Sequence, residues 1–162
     1  MELKVRRLDP PDIPLCASIV RRSFATVAEE FGLTLENAAT NGAFLEDSRL
    51  LGEYERGFVM FGLLDGDTQI GFTEIEANDG VTYYLEKLAV LPERRHLGGG
   101  KLLMDHAVDF IRTSAGEAIS IGVIHENTQL VRWYEAYGFE LTGTKVFPHL
   151  PFTVGFMRLG LA

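Results

Sequence analysis

The sequence contains a single cysteine, Cys16, in 162 residues. That excludes an internal disulfide and any zinc site built on several thiolates, and no metal is expected. Cys16 falls on an apolar helical stripe and reads as a plain buried thiol. No stretch approaches the roughly 18 apolar residues that a membrane-spanning helix requires. The opening MELKVRRLDPPD lacks the apolar run of a secretory signal. A cytoplasmic protein with no membrane partner is therefore expected. Positive charge is also scarce: 15 Lys and Arg stand against 23 Asp and Glu, a net charge of −8. Nucleic-acid binding needs a broad basic face, so no nucleic-acid partner is expected. Repeats, low-complexity segments and linkers are missing too. The whole chain, 1–162, reads as one domain large enough for a real core.

The periodicity alternates between strand and helix. Leu3 to Leu8 alternates as a strand does. Asp9-Pro10-Pro11-Asp12 breaks it, and Asp12 and Pro14 suit the start of a helix carrying Ile13, Cys16, Ala17, Val20, Phe24 and Val27 on one stripe. Gly32 ends that helix. Residues 34–56 read as short helices joined by a loop. Three strands follow: Phe58 to Leu64, Ile70 to Ala77 and Val81 to Leu91. Asp65-Gly66 and Asn78-Asp79-Gly80 supply the hairpin turns between them. A helix follows the glycines, then a short apolar strand over Ala118 to Ile124, a helix over Asn127 to Tyr137 closed by Gly138, and two strands over Phe139 to Phe147 and Phe152 to Leu159. The order implies an α/β domain built on a mixed, mostly antiparallel sheet of about seven strands flanked by about four helices.

The stretch PERRHLGGGKLLMDHAVDFI, Pro92 to Ile111, carries the chemistry. Three adjacent glycines separate a strand from a helix. The first amides of a helix have no partner within it, and the macrodipole adds partial positive charge there. Bare glycine backbone lets an anion approach, and Arg94, Arg95 and Lys101 outnumber Glu93 around it. A phosphate group suits such a loop. A P-loop is excluded, because Lys101 is followed by Leu102. A dinucleotide fingerprint is excluded, because its third glycine position holds Leu103.

The spacing that fits is Arg95-x-x-Gly98-x-Gly100. Together with the preceding YLEKLAVLP it resembles the acyl-CoA loop, Q/R-x-x-G-x-G/A, of the GNAT superfamily of N-acetyltransferases. HENTQLVRWYEAYGF resembles the second motif of that superfamily, with Asn127, Tyr134, Gly138 and Phe139 in its positions. The element order agrees along almost the entire chain. The resemblance implies the GNAT fold, acetyl-CoA as cofactor and an amine as the acceptor partner; homodimers are common in the family.

It also implies roles. The backbone from Arg95 through His96, Leu97, Gly98, Gly99 and Gly100 to Lys101 would cradle the pyrophosphate of coenzyme A. Leu88, Ala89 and Val90 would pair with the pantetheine arm, and the Val90 N–H would face the thioester carbonyl. Asn127 would contact the same arm, while on helix-capping grounds alone it is a good N-cap. Tyr134 matches the general acid, since a phenol stays protonated at neutral pH; Tyr137, one turn on, is the less favoured donor. Glu86 is the candidate general base, a carboxylate in a mostly apolar strand that alternation puts on one face with Tyr84, Leu88 and Val90. His125 is the runner-up. For the acceptor, residues 24–44 and 146–152 are the expected lining, with Lys145, Phe147, His149 and Phe152 in the second. The expected activity is acetyl transfer to a primary amine by direct attack in a ternary complex. The alternative is an acyl-CoA-binding module that has lost catalysis.

Overall fold

The computed structural model describes residues 1–161. Strand β1 (Leu3–Arg7) leads into α1 (Ile13–Glu30) and α2 (Asp47–Glu55), then β2 (Val59–Asp65), β3 (Thr68–Ala77) and β4 (Thr82–Val90). Helix α3 (Gly99–Thr113), β5 (Ala118–Ile124), α4 (Thr128–Tyr137), β6 (Glu140–Val146) and β7 (Thr153–Gly160) complete it. The seven strands form one sheet in the order β1-β2-β3-β4-β5-β7-β6, with β4 and β5 parallel and every other pair antiparallel. The predicted fold class, element order and hairpin turns are all present.

The turns behave as their residues demand. Gly66 and Gly80 adopt φ of +59° and +87°, which glycine accepts without strain. Asp79 fixes the second turn by accepting from the amides of Val81 and Thr82 at 3.0 and 2.7 Å. Helix α1 starts where expected, after Asp12 with Pro14 in its first turn, but without a side-chain capping bond. Residues Pro10–Asp12 form a 3-10 turn, and the Asp12 carboxylate accepts from the Asp9 amide at 2.9 Å and from Arg6 at 3.0 Å instead of capping α1.

Helices cover both faces of the sheet. Phe61 packs edge-on against His106 and Phe110 of α3, and Leu63 meets Gly99 at its start. Residues of opposite parity face α1 and α2: Gln69 reaches Cys16 Sγ at 3.4 Å, and Lys87 reaches Glu53. Fully buried Phe61, Leu63 and Ile75 lie on the face that α3 covers with Leu103 and Met104, and fully buried Phe72 lies on the opposite face.

The three glycines have three different explanations. Gly98 sits at φ +84°, a left-handed position where a Cβ costs about 1–2 kcal/mol. Gly99 is packed so closely that a Cβ would lie 2.5 Å from Leu63 Cδ2, and Leu63 is wholly buried. Gly100 has only Trp133 nearby, at 3.4 Å from its Cβ position. Packing therefore does not demand the third glycine. In urea denaturation, Gly98→Ala and Gly99→Ala should each cost about 1–2 kcal/mol, from strain and overpacking respectively. Gly100→Ala should change stability little. A costly Gly100→Ala beside a neutral Gly99→Ala would overturn this packing account.

Candidate active site

Strand β4 pairs with β3 along its length but with β5 only over Thr82–Tyr84 against Ala118–Ser120. From Leu85 onward the two parallel strands diverge. One edge of β4 is thus left open through Leu88, Ala89 and Val90. Backbone amides and carbonyls along such an edge require partners, and an extended ligand can supply them.

The β3–β4 register slips within this segment: Phe72 faces Ala89 while Glu74 faces Glu86. Lys87 and Leu88 together oppose Thr73, which is a β-bulge. Lys87 takes φ +54° there. This corrects the expectation from simple alternation. Cross-strand partners share a face, so Glu86 lies on the Glu74, Phe72 and Ala89 face, whereas Val90, opposite Gly71, lies on the α3 face with Leu85. One inserted residue flips everything beyond it.

The loop beyond β4 turns through a 3-10 segment, Pro92–Arg94, and then through His96 at φ +65° and Gly98 at φ +84°. The first helical bond of α3 runs from Leu102 N to Gly98 O at 3.1 Å. The amides of Gly99, Gly100 and Lys101 are left without helical acceptors. Arg95 turns its side chain away from this mouth. Its guanidinium donates to Val90 O, Thr26 Oγ1 and Ser23 O at 3.2, 3.2 and 2.7 Å, which ties the loop to α1. Arg94 pairs with Asp65 at 2.8 Å, and Lys101, well exposed, pairs with Asp105 at 2.8 Å. Leu97 is exposed.

Across the gap, α4 follows β5. Asn127 Oδ1 accepts from Leu130 N at 3.4 Å, so the N-cap role is realised. Tyr134 is buried, edge-on to Trp133 and Phe139. Burial alone raises its pKa, with no charged neighbour contributing, and the phenol stays protonated at any ordinary pH. Tyr137 instead donates to Asp105 Oδ1 at 2.5 Å. Of the two tyrosines, Tyr134 is the one not committed to a carboxylate.

Geometry of this kind, an open parallel strand followed by a glycine turn and a free helix start, can hold a long donor carrying amides and phosphates. Residues 24–139 match the family described as Acetyltransferase (GNAT) family. The chain belongs to the GNAT acetyltransferases. No curated protein sequence matches it. Among solved structures it resembles the ribosomal-protein-S18-alanine N-acetyltransferase of Escherichia coli, with a TM-score of 0.80 at 16% identity over 99% of this chain and 95% of that one. The PaiA N-acetyltransferase of Thermoplasma acidophilum, in complex with coenzyme A, gives 0.77 at 19% identity over 99% of both chains. YncA of Salmonella typhimurium, solved with its cofactor acetyl-CoA, gives 0.74 at 18% identity over 100% of this chain and 95% of that one. At these identities the likeness is one of fold.

On the other side of this GNAT sheet, the surroundings of Glu86 were not foreseen. Lys87 Nζ lies 3.0 and 3.1 Å from the Glu53 carboxylate, 2.7 Å from Glu74 Oε1 and 3.9 Å from Glu86 Oε2. Lys87, Glu53 and Glu74 are all buried, while Glu86 is 39% exposed. Burial pushes Glu74 up to about 8, against the pull of Lys87. Glu74 therefore holds its proton to higher pH than an exposed carboxylate does, with Lys87 as the cation that faces it. Burial raises Glu86 too, helped by Glu76 and Glu53 and opposed by Lys87 and Arg49. The sequence signal for Glu74 existed: a carboxylate flanked by Thr73 and Ile75 in an apolar strand is the same anomaly that singled out Glu86.

The other candidates fall elsewhere. His125 has its Nδ1 buried without a partner among the described residues, close to Gly155. Phe152 and Leu150 pack on a small cluster of Ala28, Leu33 and Ala38, and Lys145 lies over Phe147 at 4.7 Å. The structure thus packs the two segments expected to line the acceptor site, 24–44 and 146–152, against each other. Among the described residues, no helix is long and apolar enough to cross a membrane.

Two stability measurements test the buried network. Glu74 binds a proton in the folded chain that the unfolded chain releases above its ordinary value of 4.5, so its contribution is full below that value and is lost as pH rises through about 8. Wild-type stability should fall across that window, and Glu74→Gln should flatten the slope. Lys87→Met should cost about 3 kcal/mol, because it leaves buried carboxylates without their cation. Adding Glu53→Gln should recover part of that loss; strictly additive costs would dissolve the network.

Proposed function

We propose that this chain moves an acetyl group from acetyl-CoA to a primary amine by direct attack, with both substrates bound. The observation that carries the reading is the divergence of β4 from β5 after three residue pairs. It leaves an open strand edge beside a free helix start on one side and a carboxylate-lined cleft on the other. The donor fits this frame. Pantetheine carries amides that match an unpaired strand edge at Leu88, Ala89 and Val90. The bare amides of the loop from Arg95, His96, Leu97, Gly98, Gly99 and Gly100 to Lys101 suit a pyrophosphate. In the Thermoplasma acidophilum and Salmonella typhimurium neighbours, coenzyme A or acetyl-CoA is bound.

Acetyl-CoA supplies a thioester carbonyl, and the side chains supply proton traffic and position. Arg95 fixes the loop from behind through Ser23 and Thr26. Asn127 caps α4 with its oxygen and keeps its amide nitrogen for the donor's arm. Glu86 takes the proton that the attacking nitrogen loses; its raised pKa makes it a stronger base than an exposed carboxylate. As the nitrogen–carbon bond forms and the carbon–sulfur bond breaks, Tyr134 holds a proton for the departing sulfur. Val90 N–H stabilises the oxygen that gains charge between these events. Holding both reactants in one cleft supplies much of the rate.

Thermal unfolding with saturating acetyl-CoA is the first test. At about 100 times its Kd the ligand adds about 2.7 kcal/mol of stability, and ATP and NAD should add nothing. An absent shift would falsify the reading. Tyr134→Phe should lower kcat by about 100-fold while keeping the acetyl-CoA shift. Glu86→Gln should remove the acid limb of the pH–rate profile, measured by thiol release. An unchanged profile would move the base to another group.

A further inference from the structure

The cleft on the α2 side of the gap, about 410 Å³, crosses from β3 and β4 to β5, β6 and β7. That is within the usual range of small-molecule sites. Its lining is uneven in a way the acetyl-transfer reading does not require. Two carboxylates, Glu76 and Glu86, lie on one side. Two aromatic rings, Tyr84 and Phe156, remain 37% and 40% exposed over it. The contributions of β5 and β6, including Ser120, Gly122 and Thr142, carry no charge.

Glu76 pairs across the strands with Tyr84, and Glu86 with Glu74, so Glu76 and Glu86 are diagonal neighbours on one face. Such neighbours stand about 7–8 Å apart. Their charge is poorly balanced from within. Lys87, from the bulge, is held by Glu53 and Glu74 and lies 3.9 Å from Glu86. Arg49, from α2, also acts on Glu86, and its guanidinium donates to Thr40 O at 2.9 Å. Arg158, from β7, stands on the same face, opposite both Ser120 of the cleft and Glu140 of β6, with its guanidinium near Gly160. Glu76 has no salt-bridge partner among the described residues, so one carboxylate of the cleft remains free for a cation from outside.

We propose that the acceptor is a primary amine bearing a second positive charge a few carbons away, of the α,ω-diamine class. The proposal rests on the acetyl-transfer reading. Glu86 meets the nitrogen that reacts and takes its proton. Glu76 holds the distal ammonium, which is never deprotonated. Tyr84 and Phe156 cover the methylenes between and offer ring faces to the cation. The nitrogen that loses its proton forms the amide bond, coenzyme A leaves as the thiol, and the distal charge is kept. Amines that carry a carboxylate, such as α-amino acids, are disfavoured because the same pair repels that carboxylate.

The test compares kcat/KM for α,ω-diamines of about four carbons, the length that spans the diagonal, with monoamines of equal chain length. Diamines should be preferred by tenfold or more. Glu76→Gln should bring the ratio near one by raising the diamine KM while kcat holds. Its melting temperature and its acetyl-CoA shift confirm that it is folded. Calorimetric titration of the acetyl-CoA-loaded protein with 1,4-diaminobutane gives an independent readout of binding. Equal kcat/KM for monoamines and diamines would overturn the acceptor class and leave acetyl transfer standing. An acetyl-CoA shift with no diamine binding or acetylation would also overturn the class alone. Absence of the acetyl-CoA shift would remove both.

Discussion

Strand β4 leaves β5 after three pairs, and the rest of the site depends on that separation. Continued pairing would satisfy the outward-facing amides and carbonyls between Leu85 and Val90 within the sheet, and no ligand could compete for them. Backbone polar groups must find partners somewhere. By diverging, the sheet converts an internal hydrogen-bond ladder into a template for an extended donor. The same divergence opens the cleft lined by Glu76 and Glu86 on the sheet face.

The bulge at Lys87 bends β4 on the side still paired with β3. A non-glycine residue at φ +54° is strained by about 1–2 kcal/mol. What holds it is electrostatic. The ammonium sits between Glu53 of α2 and Glu74 of β3, all three side chains nearly or wholly buried. Two fully charged carboxylates there would carry one charge too many, and burial pushes Glu74 toward its protonated form. A neutralised buried pair is left, fastening α2, β3 and β4 at the point where the strand bends. Glu86, at its exposed margin, inherits a raised pKa from the same surroundings and stays reachable from solvent.

The donor side of this arrangement was legible in the sequence because backbone makes it. Glycine is the residue that announces bare or left-handed backbone, and Gly98 and Gly99 are where the chain turns and where α3 meets Leu63. Helix and strand periods gave the element order for the same reason: each exposes one face to a common core. The bulge was hidden, because a pattern of alternation contains no mark for one extra residue, and Glu86 and Val90 were therefore placed on a single face. Arg95 was legible as part of the loop but not in its direction, since nothing local distinguishes a guanidinium facing a phosphate from one reaching Ser23 O behind it. Lys87, Glu53 and Glu74 come from three elements far apart in sequence, and only the fold brings them together.

The acceptor side was illegible for a complementary reason. The residues of the proposed acceptor cleft, Glu76, Tyr84, Gly122, Thr142 and Phe156, come one from each of five strands, at positions where half-exposed polar and aromatic residues are ordinary. No spacing rule joins them. This asymmetry matches the pattern of similarity: the backbone frame persists at TM-scores of 0.74–0.80 while identity stands at 16–19%. A donor bound by main chain, as proposed for the strand edge and the glycine turn, tolerates that much side-chain change. An acceptor bound by side chains does not. The choice of amine must therefore be read from the few groups on the open sheet face that no internal partner claims, and in this chain the clearest of them is the carboxylate of Glu76.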